Sequence, residues 1–183
     1  MIEAATALIA ERGVDGFSLR EAAREVGVTP SAAYRHFPDK AALLAAVAHE
    51  GFSELARATA EAYRAAPNPV EAFHAVGASY VEFAVARPEA FRVAFGPHGV
   101  GVRIDGDTPY DLFVASLDGL VAAGLVSAER RAGAELPAWS AVHGLAFLLI
   151  DGRVRPTPEE RRRETRRLVN FVLAALGHPG GLS

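Results

Sequence analysis

Between Ser18 and Lys40 the chain gathers side-chain donors of several kinds: Ser18, Thr29, Ser31, Tyr34, Arg35, His36 and Lys40. Hydroxyl, guanidinium, imidazole and ammonium groups hold phosphate oxygens and read base edges. Lys40 is the single lysine of the chain. Other groupings lack the context that chemistry needs. Ser140, His143 and Asp151 come without a Gly-x-Ser-x-Gly elbow or any other support for a nucleophilic triad. Gly99-Val100-Gly101 has no third glycine and follows no strand pattern, so it is not a dinucleotide loop. Asp105, Asp107 and Asp111 miss the EF-hand spacing, and His98 beside them has no metal-ligand spacing. The chain is therefore not expected to be an enzyme, and no metal or cofactor is expected.

Composition narrows the classes further. A chain of 183 residues with 50% apolar content fills one or two small domains. The absence of cysteine excludes disulfides and thiolate metal sites, and a reducing cytoplasm is the expected location. Leu145 to Ile150 with its flanks, a strongly apolar run, is interrupted by His143 and Asp151 and is too short to span a bilayer. Met1 leads straight into an amphipathic pattern without a signal-peptide core. A net charge of −3 and a pI of about 6.1 argue against coating nucleic acid by bulk charge. A small reading head on a larger neutral or acidic body remains allowed.

The elements that carry these residues are helical throughout. Ile2, Ala5, Leu8 and Ile9 form a first amphipathic stripe that stops at Gly13. Ser18 and Glu21 form a capping box, and Leu19, Ala22, Ala23 and Val26 make the apolar stripe of the helix that follows. Gly27 ends it, and Thr29 caps the next helix with Pro30 at its first position. Two short helices joined so tightly read as a helix-turn-helix, whose second helix commonly enters a DNA major groove. Asp39 caps a fourth helix expected to reach about Ala65, some 40 Å long at about 1.5 Å per residue. Further helices are expected from Asn68-Pro69, from Pro88 to Phe95, and from Tyr110 to Ala123. The last two are expected over about Ala128 to Ile150, kinked near Pro137, and from Pro158 to Gly177. The expected fold is all-α with about nine helices: a head over residues 1–46 and a regulatory body over 47–183.

In the third helix, Ala33 and Phe37 serve as the buried pair. At about 100° per residue, Ser31 and Arg35 then point away from the core, flanked by Ala32 and Tyr34, with Pro30 and His36 nearer the core. Thr29, Ser31 and Ala32 are expected to reach the groove first, and Arg35 to take a guanine or a phosphate. Tyr34 and His36 are expected to donate to phosphates. Lys40 opposes the dipole of its own helix, but it would complete a phosphate site at that helix start; the alternative is a solvated surface lysine. Ser18 and Pro30 complete the expected DNA-binding set. A helical hairpin that only packs is the alternative for the whole segment.

The run GVDGFSLREAAREVGVTPSAAYRHFPDKAALL resembles the N-terminal domain of the tetracycline-repressor (TetR/AcrR) family of bacterial transcription regulators. The resemblance implies that Thr29, Tyr34 and Lys40 contact the DNA backbone. Trp139, His143 and Gly144, in PAWSAVHGLAFLLIDG, resemble the Trp-x-x-x-His-Gly signature of a regulatory subfamily often called WHG, and RPEAFRVAF is similar to that group. These likenesses imply a homodimer joined through the last two helices, a ligand cavity in each regulatory domain, and repression of a palindromic operator relieved by the ligand. Family members usually carry an arm, often basic, ahead of the first helix. Here the helix begins at Ile2, so weaker DNA binding by this form is expected. A helical sensor or dimerisation module with weak or lost DNA binding stays open as the competing class.

Leu145, Leu148, Leu149, Leu168, Val169, Val172, Leu173 and Leu176 suit a four-helix dimer interface, or else an internal core. The arginines from Arg161 to Arg167 read as a solvated face paired with Glu159, Glu160 and Glu164. Tyr80, Phe83, Phe91, Phe95, Tyr110, Phe113, Trp139, His143 and Phe147 are the expected ligand-lining set, suited to a small hydrophobic molecule. Core packing is the alternative for each of them.

Overall fold

Helix starts follow side-chain caps wherever the sequence supplies one. The computed structural model describes residues 1–177, which form ten α-helices and one short 3-10 turn, with no strand among them. The helices are α1 (Ile2–Arg12), α2 (Leu19–Glu25), α3 (Pro30–His36), α4 (Lys40–Ala65) and α5 (Pro69–Ala86). After them come α6 (Pro88–Ala94), α7 (Pro109–Ala122), α8 (Ala128–Arg131), α9 (Glu135–Ile150) and α10 (Pro158–Ala175). Ser18 and Glu21 make the reciprocal capping box of α2, and Thr29 Oγ1 accepts from the Ala32 amide at 3.2 Å. Asp39 accepts from the Ala42 amide at 2.8 Å, and Asn68 from Glu71 at 2.9 Å. Thr108 with Asp111 and Thr157 with Glu160 form two more capping boxes. Each such cap satisfies amides that the helix itself cannot.

Two expectations need correcting. The eighth helix is not one kinked rod. Gly133, at φ +73°, breaks it into α8 and α9, and Pro137 falls in the first turn of α9, where its missing amide removes no helical hydrogen bond. Val26 is exposed, because α2 ends at Glu25 and the chain turns away before that residue can join the stripe.

The described chain divides into two compact units. The first comprises 1–54 and 87–105, and the second 55–86 with the chain from 106 onward. Packing thus groups the chain differently from a single cut after residue 46. In the first unit, Ala5, Leu8 and Ile9 of α1 close on Leu19, Ala22 and Ala23 of α2, Ala33 of α3, and Leu43, Leu44 and Val47 of α4. Val93 of α6 enters the same core, and Phe37 packs against it half-buried.

In the second unit α5 is the central helix, packed against α7, α9 and α10. Two arginines of α10 make bidentate pairs to it: Arg161 with Glu82 and Arg166 with Glu71. Val169, Val172, Leu173 and Leu176 of the expected dimer stripe are buried in this core, whereas Leu148 is exposed. A Cβ on Gly77 of α5 would sit 2.9 Å from Val169 Cγ2, so a bare backbone is needed for α10 to lie where it does. Gly77→Leu should lower stability by about 2–3 kcal/mol, a fall in Tm of at least about 4 °C. Thermal unfolding at the wild-type temperature or above would contradict this close approach.

Candidate nucleic-acid interface and ligand site

Helix α3 has seven residues and buries one face only, through Ala33. Pro30, Ser31, Tyr34, Arg35 and His36 are all exposed, and Ala32 is half-buried. The expectation that Pro30 and His36 lie nearer the core is therefore corrected: so short a helix meets its neighbours along a single narrow band. Tyr34 is 43% exposed. No acidic side chain interrupts the face, since α3 contains none. Arg35 has no ion pair among the described residues.

Two residues carry more constraint than their sequence positions imply. The Ser18 hydroxyl both accepts from the Glu21 amide at 3.2 Å and donates to the Glu21 carboxylate at 2.8 Å. The Ser18 hydroxyl and then the Ser18 amide, both donating to the carboxylate, hold it below its ordinary range, and the cap commits the Ser18 hydroxyl. Lys40 is not simply solvated: its ammonium lies 4.5 Å from the centre of the Phe17 ring, a cation–π contact that fixes it at the first turn of α4. Asp39 already caps that turn with negative charge, and the neighbouring ammonium offsets it where a phosphate would approach.

Rings of the second unit form a connected series. Phe73 lies 6.1 Å from Phe113, and Phe113 is 6.1 Å from Tyr110. Tyr110 meets Trp139 at 6.1 Å, Trp139 meets His143 at 5.0 Å, and His143 meets Phe147 at 4.9 Å. Trp139 and His143 are one turn apart on α9, and both reach Tyr80 of α5. The Tyr80 hydroxyl is 2.7 Å from His143 Nδ1, and it also accepts a hydrogen bond from the Trp139 side chain. Burial pushes the Tyr80 phenol well above its usual range and holds the His143 imidazole below its own. The phenol therefore keeps its proton and the imidazole is neutral, and a single hydrogen bond joins the hydroxyl to Nδ1. The Trp-x-x-x-His spacing is explained by this clamp between α5 and α9.

Residues 1–47 match the family model for bacterial regulatory proteins of the tetR family, and residues 73–177 match the tetracyclin repressor-like C-terminal domain. The chain belongs to the TetR family. It is a transcriptional regulator with a DNA-binding helix-turn-helix and a helical C-terminal domain. No curated protein sequence matches it. Among solved structures, a Rhodococcus sp. RHA1 protein of unknown function is 29% identical, with a TM-score of 0.79 over 96% of this chain and 92% of that one. PfmR from Thermus thermophilus, a TetR family transcriptional regulator, shares the fold at 20% identity, with a TM-score of 0.72 over 94% and 96% of the two chains. A structure described as the molecular basis for control of antibiotic production by a bacterial hormone is 26% identical, with a TM-score of 0.71 over 93% and 94%.

Within this TetR-family chain, the expected ligand residues fall into both compact units. Tyr80, Phe83, Tyr110, Phe113, Trp139, His143 and Phe147 belong to the second. Phe91 and Phe95 belong to the first, their tilted rings 4.6 Å apart, with Phe95 edge-on to Phe52 at 5.1 Å. The reason is Pro88, which starts a new helix where α5 has ended. Sequence reasoning missed two partners, Phe73 in the ring series and Phe17 under Lys40. Phe73 had a signal, since it shares a face of α5 with Tyr80. Phe17 had none, because it stands outside any helix.

No helix among the described residues is long and apolar enough to cross a membrane. Lys40→Ala should weaken binding to every DNA sequence alike and flatten the salt dependence by about one unit per protomer. Loss of preference at one base pair would show instead that Lys40 reads sequence.

Proposed function

We propose that this TetR-family regulator is a homodimeric repressor that binds a palindromic operator and releases it when a small apolar molecule is bound. The observation that carries the DNA half is the exposed, acid-free face of α3. Ser31, Ala32 and Arg35 meet base edges, with Thr29 at the helix start. Tyr34, His36 and Lys40 take phosphates, which set register without reading sequence. Ser18 and Pro30 shape this face, and the Ser18 hydroxyl is held by its cap.

The ligand half rests on the ring series around Tyr80 and His143. Tyr110 opens it to solvent, at 46% exposure, while Tyr80 and Phe113 are buried. Its polar handles, a phenol and a neutral imidazole, are uncharged. Such a lining favours an aromatic or otherwise apolar effector over an ionised one.

For the dimer, the outer face of α9 and α10 supports the reading. Leu148 is exposed, and Phe171 is 67% exposed. A mainly apolar groove between these helices is lined by Ala141, Gly144, Leu145, Leu148 and Leu168, with Glu164 and Arg167 at its charged side. A Cβ on Gly144 would meet nothing within 4 Å, so packing inside one protomer does not require this glycine. A bare backbone there suits close approach of the same face from a second copy.

Selection of DNA sites by the purified protein, at stated salt, tests the function. A palindrome with half-sites about 34–36 Å apart, or a multiple of that spacing, is expected. Weak retention without a recovered motif would favour a sensor that no longer reads DNA. Phe171→Glu should sediment as a monomer with its helix content intact. An unchanged dimer mass would place the interface elsewhere. Leu173 is unsuitable for this purpose, because at 1% exposure it serves the protomer core.

A further inference from the structure

The N-terminal unit is assembled from two stretches of chain, 1–54 and 87–105, with α5 of the other unit lying between them in sequence. The second stretch is fastened at several points. Arg87 pairs with Glu54 at 3.3 Å, and a Cβ on Gly51 would come 3.3 Å from the Ala90 carbonyl oxygen. Phe95 meets Phe52, and Val93 enters the core that holds Leu8, Leu19 and Leu43.

Beyond α6 the chain reverses. The Gly99 amide donates to the Gly96 carbonyl at 3.1 Å, and the Val102 amide to the Gly99 carbonyl at 3.2 Å. Only glycine allows this turn, since a Cβ on Gly99 would overlap the Ala94 carbonyl. The reversal brings Val102 against the head core, while Val100 is 84% exposed.

We infer that the loop 96–105 is a latch on the DNA-reading head, fastened by Val102, and that its release weakens operator binding with every DNA-facing side chain unchanged. Two seven-residue helices have no stability of their own, so the geometry of α3 depends on how tightly the shared core is held. Close-packed cores transmit the loss of one packed side chain to their neighbours. The effect on operator binding rests on the repressor reading above, whereas the latch itself does not.

The test uses the full chain with Val102→Ser, Val102→Ile and, as a control on the same loop, Val100→Ser. Hydrogen exchange of the Leu8, Ile9, Leu43 and Leu44 amides should be about fivefold to tenfold faster in Val102→Ser. It should stay at the wild-type rate in Val100→Ser and Val102→Ile, and amides of α9 and α10 should be unaffected in all three. Affinity for the duplex selected with wild-type protein should fall at least about threefold in Val102→Ser alone, as the competent fraction falls. Equal exchange in Val102→Ser and Val100→Ser would overturn the latch. Faster exchange with undiminished affinity would overturn its effect on DNA binding. Exchange is measured without DNA, so failure to recover any operator would defeat the proposed function and not the latch.

Discussion

The reading face of this regulator depends on one shared apolar core. Helices α2 and α3 have seven residues each, far below the length at which a helix holds itself together in water. Caps mark where they begin, but burial of Leu19, Ala22, Ala23 and Ala33 against α1 and α4 keeps them in place. So few residues make a marginal core. The head draws Val93 from a helix that follows much later in the chain, and with it a second set of contacts. DNA recognition is therefore a property of an assembled unit rather than of a local motif.

The second unit solves its packing problem around α5. This helix meets α7, α9 and α10, and its polar contacts fall at defined points along its length. Glu71 and Glu82 take bidentate arginines of α10, and Tyr80 takes the histidine and tryptophan of α9. Gly77 lies between Glu71 and Glu82 and lets α10 come close. The hydrogen bonds around Tyr80 are worth more in such an interior than at a surface, where a surface ion pair contributes little. A regulatory core that is both apolar and tied by hydrogen bonds between its helices holds one arrangement well.

Much of the fold was legible because helix boundaries are local chemistry. Ser18 with Glu21, Thr29 with Pro30, Asp39, Asn68 and Thr108 each sit where a cap must sit, and each caps a helix in the structure. The exposed side of α3 was legible in outline from its angular spacing. Burial within the stripes was harder to read. Val26 fits the periodicity of its helix and is exposed, and the leucines of α9 and α10 divide between an inner and an outer face. A period of 3.6 residues identifies an apolar face but not the partner that covers it.

The sequence by itself determined where helices start and stop, that the fold is all-α, and which short segment presents donors suited to DNA. These follow from contacts no more than four residues apart. Only the tertiary structure decided that Phe91 and Phe95 join the head unit and that Lys40 rests on Phe17. The same holds for Trp139 and His143 sharing Tyr80, and for Val102 closing the head core. Each of these contacts joins residues far apart in the chain, where the choice of partner is set by the space left when all the other helices have packed.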